Sequence, residues 1–189
     1  MMHHHFLLHK PHSYLSQFIY EQKRKKRLLG ELFDFPEGTM AIGRLDEDSE
    51  GLLFLTTDGK VSADVRSKKV EKEYYAQVDG IITQEAVDEM TNGVEIGING
   101  SKYLTRNCKA HLIYELPNYI GEGRRIRDER HGPTSWVSLT LTEGKFRQVR
   151  KMTAAVGFPT LRLVRIRIGN TTLEGLNTGE VIEVEKLQY

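Results

Sequence analysis

The chain has 189 residues, of which 39% are hydrophobic and 28% are charged, and its formal net charge is +1. This length can bury one core, divided at most into two lobes, and the composition is typical of a soluble globular protein. The longest apolar run, residues 52–55, is too short to span a membrane, no secretory leader is recognisable, and the single cysteine excludes an internal disulfide, so we expect a cytoplasmic protein.

The first part of the chain predicts short strands joined by turns. A basic run, KRKKR at residues 23–27, is expected on the surface, either in a loop or at a helix end. Residues 52–57 lie between Gly51 and a turn-forming Asp-Gly pair at 58–59, which predicts a short buried strand. Residues 70–80 alternate and carry β-branched and aromatic side chains, so they predict a second strand.

The middle of the chain predicts a helix, a strand and a long loop. The helix lies between Thr83, which can cap its start, and Gly93, which follows its end. Residues 107–116 alternate and predict a strand. Residues 117–134 are rich in glycine and proline and predict a long loop, which in a compact domain is usually functional or disordered. The arginines of this loop are Arg124, Arg125, Arg127 and Arg130.

The last third predicts a strand over residues 134–144, a helix over 145–157 and strands over 160–169 and 180–187. Strands that follow one another in runs, with few helices and no regular βαβ alternation, indicate an α+β protein with a largely antiparallel or mixed sheet. The sequence shows no internal repeat and no linker long enough to separate independent domains.

The charges are unevenly distributed. Residues 143–167 contain seven basic side chains and one acidic side chain. Such a stripe is typical of nucleic-acid binding, although basic stripes are more often merely solvated faces. Arg147, Arg150 and Lys151 share one face of the predicted helix, where they can bind phosphates or orient a buried carboxylate, or simply form the polar side of an amphipathic helix.

An acidic stretch, GRLDEDSEGLLFLTTDG at residues 43–59, precedes the predicted buried strand. Its carboxylates are Asp46, Glu47, Asp48 and Glu50. A calcium loop is excluded because Thr57 stands where the twelfth ligand is required. Paired glycosidase carboxylates are disfavoured because these side chains crowd one strand instead of facing each other across a sugar. A solvated turn and a catalytic carboxylate at a strand end both remain compatible with the pattern.

Four motifs in order along the chain resemble those of the RsuA-type pseudouridine synthase family. Residues 43–59 fit the family pattern G-R-L-D-x-x-S/T-x-G-L-L-x-L-T-x-D-G throughout. KEYY at 72–75 resembles the family's lysine-x-tyrosine strand, and EGKFRQVRKM with the following GFPTLRLVR, residues 143–165, resembles its third motif. HKP at 9–11 resembles the first motif, usually N-K-P, with a histidine in place of asparagine.

The resemblance implies roles for individual residues. Asp46 corresponds to the family's essential aspartate, and Arg150 to the arginine that pairs with it. Tyr74 corresponds to the tyrosine that packs against the target base and is implicated in proton removal from C5. Arg44 corresponds to an arginine that enters the RNA stack in place of the flipped nucleotide. The implied RNA-binding residues are Arg44, Lys72, Arg147, Gln148, Lys151, Arg162 and Arg165.

The resemblance also implies the fold and the partners. We expect a two-lobed α+β fold with a mixed, mostly antiparallel bent sheet, flanking helices and a central catalytic cleft. Residues 1–189 are expected to form one catalytic domain, without the N-terminal S4 RNA-binding domain of other members. The expected protein is a monomer that binds RNA, needs no metal or organic cofactor and does not bind membranes.

The expected activity is conversion of a specific uridine to pseudouridine in 23S ribosomal RNA. The same chemistry on small-subunit ribosomal RNA or transfer RNA is the alternative within the enzyme class. A non-catalytic protein for ribosomal RNA binding or ribosome assembly is the alternative outside it. The presence of Asp46, Tyr74 and Arg150 together favours the enzyme, since a binding protein gains nothing from a buried acid that faces RNA phosphates.

Overall fold

The computed structural model describes residues 3–67, 69–121, 123 and 126–189, with only the backbone of Glu129. The first half of the chain forms β1 (His5–Lys10), β2 (Met40–Ala41), β3 (Glu50–Thr56), α1 (Gly59–Ser67), β4 (Lys72–Asp79) and α2 (Gln84–Asn92). The second half forms β5 (Glu95–Ile98), β6 (Ser101–Leu104), β7 (Lys109–Ile113), β8 (Thr134–Leu141), α3 (Gln148–Ala155), β9 (Thr160–Ile168), β10 (Thr171–Thr172) and β11 (Val181–Val184). These elements divide into two compact units, residues 1–70 with 165–189, and residues 71–164.

The first unit is built around β3. This strand pairs antiparallel with β1 and with β2, and β1 pairs antiparallel with β11. All seven residues of β3 are buried, including Glu50 at 5% exposure. The core beside it contains Phe6, Leu8, Leu29, Leu53 and Leu55, and Phe18 and Phe35 pack against its edge. The predicted buried strand is therefore confirmed, and it begins two residues earlier, at Glu50.

Gly51 is required where β3 passes β9. Its φ is +110°, and a Cβ atom at this position would lie 2.2 Å from the backbone oxygen of Arg165. Real Cβ atoms do not approach a backbone oxygen so closely, so only glycine allows the two strands to come together here. Gly51 is the second residue of β3, directly after Glu50, the last carboxylate of the acidic stretch.

The second unit consists of an antiparallel sheet covered by two helices. β4 pairs with β8 along its whole length, from Lys72 opposite Leu141 to Asp79 opposite Thr134, and β8 also pairs with β7. The apolar side chains of α2 and α3 pack with those of the sheet in one core. α2 begins as predicted, because the Thr83 hydroxyl accepts a hydrogen bond from the backbone N–H of Ala86 at 3.3 Å.

Several elements differ from the sequence-based expectation. α3 begins at Gln148 instead of residue 145, because Arg147 adopts a left-handed backbone with φ of 52° and ends the preceding loop. The strand β3 is followed at residues 58–59 by the start of α1, which the sequence did not predict: the Asp58 carboxylate accepts from the backbone N–H of Lys60 at 2.8 Å and starts this helix. The KRKKR run lies in a loop and not at a helix end. Arg124 and Arg125 of the predicted basic loop lie outside the described residues.

The described elements confirm the α+β class, with mostly antiparallel strand pairing and three α-helices among the described residues. No helix in the described part of the chain is long and apolar enough to cross a membrane. The described ranges also contain no group of three or more histidine, cysteine, aspartate or glutamate side chains placed to hold a metal ion.

Candidate active site

Asp46 lies in a short turn of the first unit that connects β2 to β3. The backbone N–H of Ser49 donates to the carbonyl oxygen of Asp46 at 3.0 Å, which closes the turn. Asp46 is half-buried, and the preceding Arg44 is exposed. The turn is therefore compact, with its aspartate half-buried and its arginine exposed at the protein surface.

The turn is fastened to the segment that follows β1. The Ser16 hydroxyl is buried and donates to the carbonyl oxygen of Leu45 at 2.7 Å, while the N–H of Leu45 donates back to the same hydroxyl at 2.9 Å. The Lys26 ammonium donates to both carboxylate oxygens of Glu47, at 2.6 and 2.8 Å. Both residues that flank Asp46 are thus held in place by side chains from residues 13–27.

A buried lysine lies close to these carboxylates. Lys10 has no exposed surface, and its ammonium donates to the carbonyl oxygens of Pro11 and Tyr14 at 2.9 and 2.7 Å. Burial lowers the pKa of Lys10 to about 8, although the nearby carboxylates, Glu50 most strongly, oppose the shift. At neutral pH Lys10 is therefore a positive charge at the base of the acidic turn.

The second unit carries Tyr74 and Tyr75 in β4. Tyr74 is half-buried and packs against the core of this unit, opposite Leu139 of β8. Tyr75 is opposite Ser138, and burial, followed by the negative charge of Glu73, raises the pKa of its hydroxyl. Neighbouring residues on a strand point to opposite faces, so the rings of Tyr74 and Tyr75 lie on different sides of the sheet. Lys72, at the start of the same strand, is half-buried.

Arg147, Arg150 and Lys151 lie at the start of α3 in the same unit. Arg147 and Arg150 are both half-buried. The Lys151 ammonium donates to the carbonyl oxygen of Gly97 at 2.7 Å and lies 5.2 Å from the centroid of the Phe146 ring. This ring is 67% exposed, so an aromatic face accompanies the basic groups at the start of the helix.

Glu143 organises the loop that leads into α3, a role that the sequence motifs did not predict. Its carboxylate accepts hydrogen bonds from the Tyr103 hydroxyl, from the backbone N–H of Arg106 at 2.9 Å and from the Gln148 side chain at 2.6 Å. Burial raises the pKa of Glu143, but the hydrogen bonds outweigh this effect and the net shift is downward. The signal for this role was its place in the third motif, directly before the helix.

Three of the predicted RNA-binding residues are almost fully buried. Gln148 is 4% exposed and accepts from the backbone N–H of Lys145 at 3.0 Å in addition to its bond with Glu143. Arg162 is 3% exposed and donates to the carbonyl oxygens of Ile120 and Gly121. These side chains brace the protein, and RNA contact by them stays a prediction.

Arg165, in the first unit, behaves similarly. It is 3% exposed, and its Nε donates to the carbonyl oxygen of Leu52 in β3 at 2.8 Å. Its positive charge is also close enough to contribute to the lowered pKa of Lys10. Arg165 therefore adds a second buried cation to the base of the acidic turn, a place that the sequence pattern did not reveal.

The architecture matches that of a solved structure. A crystal structure of a pseudouridylate synthase aligns with 96% of this chain and 70% of its own, with a TM-score of 0.75 and 26% sequence identity. This likeness identifies the fold as that of the pseudouridine synthases, a class of RNA-modifying isomerases, as the sequence motifs implied.

Sequence comparison gives the family. The model described as RNA pseudouridylate synthase matches residues 4–155. The chain belongs to the RNA pseudouridylate synthase family, and it is therefore an isomerase that acts on uridine in RNA.

Individual relatives resemble the chain over nearly its whole length. The ribosomal large subunit pseudouridine synthase E of Xanthomonas axonopodis pv. citri is 42% identical, over 90% of this chain and 88% of that protein. The ribosomal large subunit pseudouridine synthase E of Vibrio vulnificus is 38% identical, over 94% of this chain and 74% of that protein.

Proposed function

We propose that this chain isomerises a specific uridine of 23S ribosomal RNA to pseudouridine. The support for this target is the similarity to relatives named as large-subunit ribosomal RNA synthases, at 42% and 38% identity over at least 90% of the chain. Residues 1–189 act as one catalytic domain, as a monomer in the cytoplasm.

Asp46 is the reacting group. Isomerisation breaks the N1–C1′ bond of uridine, rotates the base and joins C1′ to C5, after which the proton leaves C5 and N1 is protonated, so no atom is gained or lost. An ionised carboxylate beside the ribose can attack C1′, stabilise its developing positive charge or remove a proton from the sugar. The observation that carries this assignment is the half-buried Asp46, whose two flanking residues are both braced, in the family's essential motif.

Asp46 lies near buried positive charge and between two braced neighbours. Lys10 and Arg165 are buried cations of the same unit, and the charge of Lys10 interacts with Glu50, Asp48 and Asp46. The bracing of Leu45 and Glu47 limits how far Asp46 can move, which preserves a reactive geometry without reorganisation. Both effects act before any RNA is bound.

The second unit supplies the residues that handle the base and the phosphates. Tyr74 packs against the flipped uracil and assists proton removal from C5, and Arg150 pairs with Asp46 during catalysis. The phosphates of the RNA are bound by side chains that are not fully buried. These are Arg44, Lys72, Arg147 and Lys151. Extrusion of the uridine costs a few kcal/mol, which stacking and phosphate contacts offset.

The test combines a cellular and a purified system. Pseudouridines are mapped in 23S, 16S and transfer RNA from cells with and without the gene, and we expect one 23S position to lose its modification. Loss confined to 16S or transfer RNA would replace the proposed target, and loss nowhere would reject the proposal.

The role of Asp46 is tested with purified protein. Asp46→Asn is expected to abolish pseudouridine formation in 23S RNA transcribed in vitro, while RNA binding and the urea midpoint stay near the wild-type values. Asp48→Asn is the matched control, since Asp48 lies in the same turn and is also half-buried, and it is expected to retain activity. Wild-type activity in Asp46→Asn would disprove the assigned role.

A further inference from the structure

The first unit carries a basic loop that the proposed function has not used. Every side chain from residue 21 to residue 25 is exposed, and three consecutive ones are cationic: Lys23, Arg24 and Lys25. Within the described ranges none of these three forms an ion pair. Arg27 is also exposed, and its guanidinium lies 5.5 Å from the centroid of the Tyr14 ring. Four exposed cations are thus concentrated in five residues.

The two ends of this loop are pinned together. The N–H of Leu15 donates to the carbonyl oxygen of Arg27 at 3.0 Å, and the N–H of Leu29 donates to that of Gln17 at 3.1 Å. Phe18 packs edge-on against Phe35 at the border of the core, with the ring centroids 5.4 Å apart. The ends of the loop are therefore fixed by hydrogen bonds and by aromatic packing.

The same loop is joined to the turn that holds Asp46. Lys26, the fourth residue of the basic run, binds both oxygens of Glu47, the residue next to Asp46. The N–H of Ser13 also donates to the carbonyl oxygen of Glu47 at 2.8 Å. Lys26 is turned inward to this ion pair, while its neighbours Lys25 and Arg27 are exposed. These contacts join the basic loop to the turn that carries the proposed reacting residue.

We propose that Lys23, Arg24, Lys25 and Arg27 bind the phosphate backbone of the RNA close to the target uridine. This inference rests on the proposed function, because the substrate must be RNA for the loop to have phosphates to bind. Adjacent like charges repel one another, and a polyanion removes that repulsion and releases its own counterions on binding. Cations spaced along an exposed loop can contact successive phosphates of an RNA backbone, whereas recognition of a single base requires hydrogen bonds to its edge.

The test is the salt dependence of RNA binding by the triple variant Lys23→Ala/Arg24→Ala/Lys25→Ala. Loss of three phosphate contacts is expected to reduce the slope of log affinity against log salt by about 2 to 3. The ratio of wild-type to variant affinity for transcribed 23S RNA is then roughly 16 to 64 times larger at 50 mM than at 200 mM KCl.

The matched control removes the same charge elsewhere on the same unit. Lys60, Lys69 and Lys186 are all exposed, and their triple alanine variant is expected to keep both the wild-type slope and the wild-type activity. An unchanged slope in the loop variant, or an equal change in the control variant, would overturn the role of the loop. A wild-type protein that forms no pseudouridine in 23S RNA would overturn the proposed function, which separates the two failures.

The position of the loop on the RNA is tested directly. Iron–EDTA attached to an Arg24→Cys variant is expected to cleave 23S RNA within a few nucleotides of the uridine whose modification depends on the gene. The native Cys108 reacts with the reagent much more slowly, because burial raises its pKa to about 11, and Cys108→Ser without the added cysteine is the control for its labelling. Cleavage that is scattered over the RNA, or confined to distant sites, would contradict a phosphate contact close to the target.

Discussion

Replacement of Lys10 tests the electrostatics at the base of the acidic turn. Lys10 is fully buried and donates to two backbone carbonyl oxygens, and burial lowers its pKa from 10.5 to about 8. A methionine has a stem of similar length and no charge. Lys10→Met therefore removes the titrating group while it preserves most of the packing.

The sign of the effect follows from proton binding in the two states. Below pH 8 the lysine is charged in both states, and the native protein bears the cost of burying the charge. Between pH 8 and pH 10.5 the unfolded chain keeps a proton that the native protein has lost, so the free energy of unfolding rises with pH. A shift of this size corresponds to about 3 kcal/mol. Lys10→Met lacks this gain.

The measurement is urea unfolding followed by far-UV circular dichroism at several values of pH from 7 to 10.5. Relative to the wild type, the variant is expected to lose about 3 kcal/mol over this range, beyond a constant cost for the two lost hydrogen bonds. Lys60→Met, at an exposed position, should show no such trend. A stability difference between wild type and Lys10→Met that is the same at both ends of the range would refute the reasoning.

Three further substitutions or probes address other features. Gly51→Ala should lower the free energy of unfolding by about 3 kcal/mol or more, because its Cβ would lie 2.2 Å from the backbone oxygen of Arg165; a urea midpoint near the wild-type value would contradict this. Glu143→Gln should lower the free energy of unfolding by about 1.5 to 3 kcal/mol at pH 7. The difference from the wild type should vanish as the pH falls below 4.5, because the hydrogen bonds that lower the pKa of Glu143 stabilise only its ionised form; a difference that persists in acid would exclude this cause. Cys108 should react with DTNB at pH 8 about a hundredfold more slowly in the native protein than in urea, because its pKa is raised to about 11, and equal rates would disprove the burial effect.

Much of the fold could be predicted from local pattern. The strands at β3, β4, β7, β9 and β11 and the helices α2 and α3 all appear where periodicity and capping residues indicated them. The β5–β6 hairpin and β1 were not predicted, because each is short and its pattern is weak without its partner strand. β1 becomes a strand only by pairing with β3 on one side and β11 on the other.

The site was predictable to a lesser depth. The motifs identify the candidate reacting residues. They do not identify the side chains that fix the positions of those residues, because these contacts join distant parts of the chain. Ser16 and Leu45 are 29 residues apart, and Tyr103 and Glu143 are 40 residues apart. Burial was also hidden: Arg162 looked like one cation of a basic stripe, yet the fold encloses it and turns its guanidinium to protein carbonyls.

The charges of the acidic turn depend on the segment before it. Several carboxylates in five residues repel one another, and a turn of that kind would open unless positive charge compensated it. Lys26 binds Glu47 from the basic loop, and Lys10 lies near Glu50 and Asp46 from the end of β1. Two lysines from residues 10–26 thus stabilise the turn that carries the proposed reacting group. The strand, the basic loop and the acidic turn therefore form one electrostatic unit, in which a substitution at either lysine is expected to change the position of the aspartate as well as the local charge.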